Sequence, residues 1–146
     1  MNAMRALTKY RLDSATEHLA VAATMIDSRH FKSSVTSSWF AMFDNVRALP
    51  GQSNFKTFLA IVRHFRRNYI KTGALDGKFS DYFGAAFKLR YACDYEDFVI
   101  VSRQEAETQY QHAVEFVEAV KNFLSDEEAQ NVCENTGGDK LPAADD

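Results

Sequence analysis

Ser33-Ser34-Val35-Thr36-Ser37-Ser38-Trp39-Phe40-Ala41-Met42-Phe43-Asp44-Asn45-Val46-Arg47-Ala48-Leu49 decides the fold class. Its apolar residues Val35, Trp39, Met42, Val46 and Leu49 fall at steps of four, three, four and three. That spacing lines them up on one stripe of an α-helix, the stripe a helix buries against its neighbours. Pro50-Gly51 follows, and a proline with no N–H beside a flexible glycine ends the helix there.

The same period extends in both directions. Upstream, Leu12, Ala15, Leu19, Ala22 and Ile26 predict a helix from about Tyr10 to Ile26. Downstream, Phe55, Phe58, Val62, Phe65 and Tyr69 predict one from Phe55 to Ile70, with Gly73 as its stop. Phe79, Phe83, Ala86, Leu89 and Cys93 predict a fourth, from Phe79 to Cys93. Ser102-Arg103-Gln104-Glu105 has the form of a capping box, in which Ser102 and Glu105 each satisfy a free backbone N–H. The fifth helix starts there and carries Ala106, Tyr110, Ala113, Val117, Val120 and Leu124. Phe98-Val99-Ile100-Val101 has β propensity but no partner strand, so Asp94 to Val101 reads as an extended connector on the bundle. Residues 1–124 form one helical domain in this reading. After Ser125 the periodicity stops, and 125–146 reads as an acidic, disordered tail.

Composition fits a single small domain. The chain has 146 residues, 46% of them hydrophobic, with twelve Phe, six Tyr and one Trp, so the core is aromatic-rich. No apolar run reaches the roughly 20 residues of a bilayer span, and the N-terminus lacks a secretory pattern. Cys93 and Cys133 read as two reduced thiols, too few for a zinc site. These features predict a cytoplasmic protein without membrane contact, metal or cofactor. The net charge of −3 hides an asymmetry: 125–146 holds seven acids against Lys140 alone. The rest of the chain holds 16 bases against 13 acids, which permits nucleic-acid contact without demanding it.

An ordered set of stretches carries a resemblance. They are Tyr10-Arg11-Leu12-Asp13-Ser14-Ala15, then Ser37-Ser38-Trp39-Phe40-Ala41-Met42-Phe43, Val46-Arg47-Ala48-Leu49, His64-Phe65 and Ile70-Lys71-Thr72-Gly73-Ala74-Leu75-Asp76. Leu89-Arg90-Tyr91-Ala92-Cys93-Asp94-Tyr95-Glu96-Asp97-Phe98 and a closing helix rich in Glu and Ala complete it. Over residues 10–124 the chain resembles the HEPN domain, in particular its small stand-alone bacterial and archaeal members. The resemblance implies an all-α, up-and-down bundle of four to five helices that forms a homodimer. It implies a place in toxin–antitoxin, anti-phage or RNA-processing systems, often beside a small nucleotidyltransferase. Active members are metal-independent endoribonucleases with an arginine, four to six residues, then a histidine.

Arg90 stands where the motif arginine belongs, and Tyr95 stands where the histidine would be. RNA cleavage needs a base for the 2′-hydroxyl and a cation for the charge growing on phosphate. Imidazole, titrating near 6.5, serves as a base at neutral pH, whereas a phenol titrates near 10. Asp94, Glu96 and Asp97 also repel an RNA phosphate and compete for Arg90. Three readings stand side by side: a helix-end salt bridge between Arg90 and Asp94, a binding site on Arg90, Tyr91, Asp94 and Tyr95, or cleavage by Arg90 with an atypical base. The resemblance adds Tyr91 or Tyr95 as a site of nucleotidylation.

Elsewhere, Arg11, six residues and His18 match the motif literally but lie in the first helix, where chance accounts for so loose a pattern. Arg63, Arg66, Arg67 and Lys71 form the densest basic stretch, either a solvated face or a seat for phosphates or an acidic partner. His30, His64 and His112 match no metal spacing, and His112 reads as exposed. Trp39, Phe40 and Phe43 read as core or interface. The favoured function is a non-catalytic or weakly active subunit that binds protein, RNA or nucleotide. The alternative is an endoribonuclease toxin.

Overall fold

The computed structural model describes residues 3–52 and 55–136. It is all-helical, with no strand among the described residues. The helices are α1 (Ala3–Asp27), α2 (Phe31–Ala48), α3 (Phe58–Phe65), α4 (Lys78–Tyr95) and α5 (Arg103–Thr136). A π-helical turn, Arg66–Ile70, continues α3, with the Lys71 N–H donating to the Arg66 carbonyl at 2.9 Å.

α2 is the hub and packs against α1, α3, α4 and α5. Its five stripe residues Val35, Trp39, Met42, Val46 and Leu49 are all buried, as the spacing predicts. Against α1 the contact is made by small residues. Ala15, Ala22, Ser34, Ser38 and Ala41 are fully buried, and the Ser34 hydroxyl donates to the Ala22 carbonyl at 2.9 Å. Toward α4 and α5 the core is aromatic: the Phe65, Phe83 and Phe116 ring centroids lie 5.9 to 6.1 Å apart. Phe116 lies outside the stripe read for the fifth helix, yet it is fully buried because α5 packs on α2, α1 and α4 together.

The helix ends follow local chemistry. α1 stops in a Schellman pattern: Arg29 sits at φ 66°, its N–H donates to the Ile26 carbonyl, and the His30 N–H donates to that of Met25. Gly51 at φ 89° ends the α2 turn, and Gly73 at φ 82° follows the π turn. The capping box forms, the Glu105 N–H donating to Ser102 Oγ and the Ser102 N–H to Glu105 Oε1, each at 3.0 Å. α3 begins three residues later than its apolar spacing suggests, because Thr57 caps it by accepting from the Ala60 N–H at 3.2 Å. Phe55 is therefore outside the helix and exposed.

Two further differences matter below. The connector read as Asp94 to Val101 is shorter and not extended throughout: Asp94 and Tyr95 still belong to α4, residues 96–98 turn the chain, and only Val99 and Val101 face the bundle, Phe98 being 99% and Ile100 87% exposed. And α5 continues to Thr136, past the point where its apolar spacing ends. Asp126 to Thr136 contains no Gly or Pro, so helix propensity carries the chain on. Residues 137–146 of the acidic segment lie outside the described residues. Arg5 pairs with Glu128 at 3.2 Å, both side chains being well exposed. Exposed pairs contribute about 0–1 kcal/mol. Truncation after Ser125 is therefore expected to move the melting temperature by under about 5 °C. A larger loss in a thermal scan would mean that this segment holds the bundle together.

Candidate functional site

α4 carries Arg90 beside the aromatic hub of α2. Its guanidinium lies 4.6 Å from the Trp39 ring centroid and 5.0 Å from that of Phe40. One terminal nitrogen pairs with Asp94 one turn on, at 3.5 Å. The side chain is 26% exposed, and its buried Nε has no hydrogen-bond partner among the described residues. Arg90 is thus held by ring faces and by a carboxylate, and the carboxylate offsets part of the positive charge a phosphate would meet.

Tyr95 is elsewhere. It is 71% exposed and packs at a tilt against Tyr91, itself 50% exposed, with centroids 4.7 Å apart and planes 42° apart. Tyr91 leans on Phe87 at 6.1 Å, and Phe87 stacks on Phe58 of α3 at 5.0 Å. Residues 87, 91 and 95 are one helical turn apart, so their rings form a ladder along α4 that ends in solvent. No hydrogen bond or cation–ring contact joins Tyr95 to Arg90 among the described residues. The helix-end pair of Arg90 with Asp94 is present, while the two motif positions point to different surroundings.

Beside the ladder opens a cavity of about 500 Å³ lined by Phe43, Arg47, Phe55, Lys56, Phe58 and Ile61. Three rings and two cations are the side-chain types that hold a base and its phosphate. The basic stretch does not join it. Arg63, Arg67 and Lys71 are exposed, and Arg66 donates to Ser80 Oγ at 3.1 Å, toward the opposite end of α4 from Arg90. Phe65 and Tyr69 are buried between them. The Tyr69 hydroxyl donates to the Pro50 carbonyl at 2.7 Å, and burial pushes it up to about 12.

One cluster is absent from the sequence reading. His18 Nδ1 lies 3.0 Å from Asp44 Oδ2, and Ser14 Oγ donates to the same oxygen at 2.7 Å. A carboxylate only accepts, so Nδ1 carries the proton and Nε2 is left as the acceptor when the ring is neutral. The imidazole stacks on Phe40 at 5.5 Å, the ring that also supports Arg90. Arg11 of the same helix donates to the Arg47 carbonyl at 2.8 Å. Burial and then the charge of Arg47 push the Arg11 guanidinium down, while Asp44 pushes it up. Ser14 and His18 share a helix face, but nothing in the sequence ties them to Asp44 thirty residues on.

His112, read as exposed, is half-buried instead: its ring stacks on Tyr82 at 3.8 Å with planes 5° apart, because α5 lays it against α4. Burial pushes its imidazole below the ordinary 6.5, against the raising effect of Glu115. The unfolded chain then binds this proton more readily than the folded one. Stability is accordingly full above about pH 6.5 and falls as the pH drops below it. His112→Gln is expected to flatten the melting-temperature profile on the acid side of about pH 6.5. An unchanged acid slope would remove His112 as its source.

Cys93 is a free thiol, half-buried, and burial pushes it up. Among the described residues, no helix is long and apolar enough to cross a membrane, and no three metal-ligating side chains cluster.

No family model matches the chain. It is 24% identical over 115 residues to a Methanocaldococcus jannaschii protein named as a putative toxin, covering 77% of this chain and 78% of that one. It is also 24% identical over 129 residues to a UPF0332 protein of Thermotoga maritima, covering 86% of this chain and 97% of that one. The chain is thus similar, at low identity and over more than three quarters of its length, to a protein named as a putative toxin and to a UPF0332 protein.

Proposed function

We propose that the chain is a HEPN-type subunit of a bacterial or archaeal toxin–antitoxin or anti-phage defence system, non-catalytic or weakly active, working in the cytoplasm as a homodimer. It acts by binding protein, RNA or nucleotide. The observation that carries this reading is the seat of Arg90: two rings and Asp94 lie against its guanidinium, and the tyrosine at the histidine position packs against Tyr91 instead. The exposed Tyr91–Tyr95 ladder supports docking of a partner, since solvent-facing tyrosines supply large contact area at low entropic cost. The resemblance points to a nucleotidyltransferase as that partner, and the exposure of both hydroxyl-bearing rings suits their nucleotidylation. The similarity to a protein named as a toxin supports the system type.

The test is to co-express the chain with the product of the adjacent gene and measure the affinity of the purified pair. Wild type is expected to form a stable complex, and the Tyr91→Ala/Tyr95→Ala variant to lose at least about tenfold. An unchanged affinity would take the partner off α4.

A second reading, an endoribonuclease toxin using Arg90 with an atypical base, has one observation in its favour. His18, oriented by Asp44, rests on the same Phe40 ring as Arg90. An imidazole held by a carboxylate is the arrangement a general base needs.

A further inference from the structure

Between the end of α2 and the start of α3 lies the cavity of about 500 Å³, within the range of roughly 300–1,000 Å³ that small-molecule sites occupy. Phe43 and Phe58 of its wall are half-buried, with ring centroids 5.7 Å apart. Phe55 stands before α3, exposed, and leans on His64 at 5.1 Å. Arg47 and Lys56 supply the charge, and the Arg47 guanidinium lies 5.7 Å from the Phe43 centroid.

From Asn45 to Leu75 the sequence contains no Asp or Glu. Arg47 and Lys56 make no ion pair among the described residues. Asp44, beside this turn of α2, already accepts from Ser14 and from His18 on Oδ2. Arg11 brings a third cation to the same turn. It donates to the Arg47 carbonyl at 2.8 Å and likewise makes no ion pair among the described residues. Beyond burial, Arg47 opposes the Arg11 charge more than Asp44 supports it. Such a gathering of like charges costs free energy, which an anion bound beside them offsets. Arg90, by contrast, already holds Asp94.

We propose that this cavity seats one nucleotide, a base carrying a phosphate, taken either as a free nucleoside monophosphate or as the 5′-phosphorylated end of an RNA strand. The base lies against Phe55 and Phe58, since every base offers a π face to an aromatic ring. The phosphate meets Arg47 and Lys56, and the guanidinium matches two phosphate oxygens at once. The rings call for a ligand with a planar face, and the unpaired cations for one with negative charge. An acidic peptide meets the second need and not the first. This inference rests on the binding reading above and deepens it, giving the nucleotide a seat apart from Arg90.

Calorimetric titration tests it, with the fluorescence of Trp39 as a second readout, because this single tryptophan stacks on Phe43 at 4.9 Å. The probes are adenosine 5′-monophosphate, adenosine, inorganic phosphate, a hexaglutamate peptide and 5′-phosphorylated hexaadenylate. The monophosphate is expected to bind at least about tenfold more tightly than adenosine, phosphate or the peptide. A hexamer that binds more tightly still makes the strand end the source, and one that binds no better makes it the free nucleotide; either result upholds the site. Phe55→Ala/Lys56→Gln, at two exposed side chains outside any helix, is expected to weaken the monophosphate at least about tenfold with unchanged helical circular dichroism. Because that segment can shift, Arg47→Gln serves as a second variant with the same expected loss; it keeps the carbonyl that Arg11 uses. Lys32→Gln, at the other end of α2, is expected to bind as wild type does. A monophosphate that does not bind, or one that phosphate or hexaglutamate matches, overturns the proposal. So does binding that survives both cavity variants, which places the nucleotide elsewhere on the chain and leaves the binding reading standing. The Tyr91→Ala/Tyr95→Ala measurement tests that reading independently.

Discussion

Trp39→Ala is expected to lower the free energy of unfolding by about 3–5 kcal/mol, the range for removing a buried tryptophan or phenylalanine side chain. Trp39 is 4% exposed and meets five rings: its centroid lies 5.1 Å from Phe40, 4.9 Å from Phe43, 6.1 Å from Phe58, 6.2 Å from Phe83 and 6.3 Å from Phe87. The alanine leaves a cavity where α2, α3 and α4 meet, and also withdraws one of the two ring faces under Arg90, worth a further ~0.5–2 kcal/mol. Tyr10→Ala, at a ring 70% exposed, should stay within about 0.5 kcal/mol of wild type. Urea unfolding followed by far-ultraviolet circular dichroism measures both. A loss under about 1 kcal/mol at Trp39 would show that the bundle closes over the gap.

RNA incubated with the purified protein is expected to stay intact. Arg90 lies against Trp39 and Phe40 and pairs with Asp94, whose carboxylate repels phosphate, and Tyr95 stands in solvent against Tyr91. Lack of a general base lowers cleavage by about 10²–10⁴-fold. The assay uses structured and unstructured RNA with EDTA present and compares wild type with Arg90→Ala, Tyr95→Phe and His18→Ala. Wild-type cleavage lost in both Arg90→Ala and Tyr95→Phe would refute the non-catalytic reading and place the chemistry on that pair. Loss in Arg90→Ala and His18→Ala instead would give the base role to the imidazole of α1. Cleavage surviving every change points to a contaminating nuclease or to a site elsewhere on the chain. Tyr95→His, if it creates cleavage absent from wild type, supports a site that has lost its histidine.

The sequence by itself determined the helices and their inward faces. Val35, Trp39, Met42, Val46 and Leu49 are buried as their spacing demands, and Ser102 and Glu105 cap α5 as their identities demand. Both follow from interactions within a few residues, which a one-dimensional pattern records. The i, i+4 pairing of Arg90 with Asp94 was legible for the same reason. Tertiary structure decided what depends on residues far apart in the chain. Phe116 is buried because three helices meet over it, and His112 is covered because α4 brings Tyr82 onto it. The seat of Arg90 needs α2 rings some fifty positions upstream, and the His18–Asp44–Ser14 cluster exists only where α1 lies against α2. The same holds for the connector: four apolar residues in a row carry no period, so only packing could choose Val99 and Val101 for the bundle and leave Phe98 and Ile100 to water.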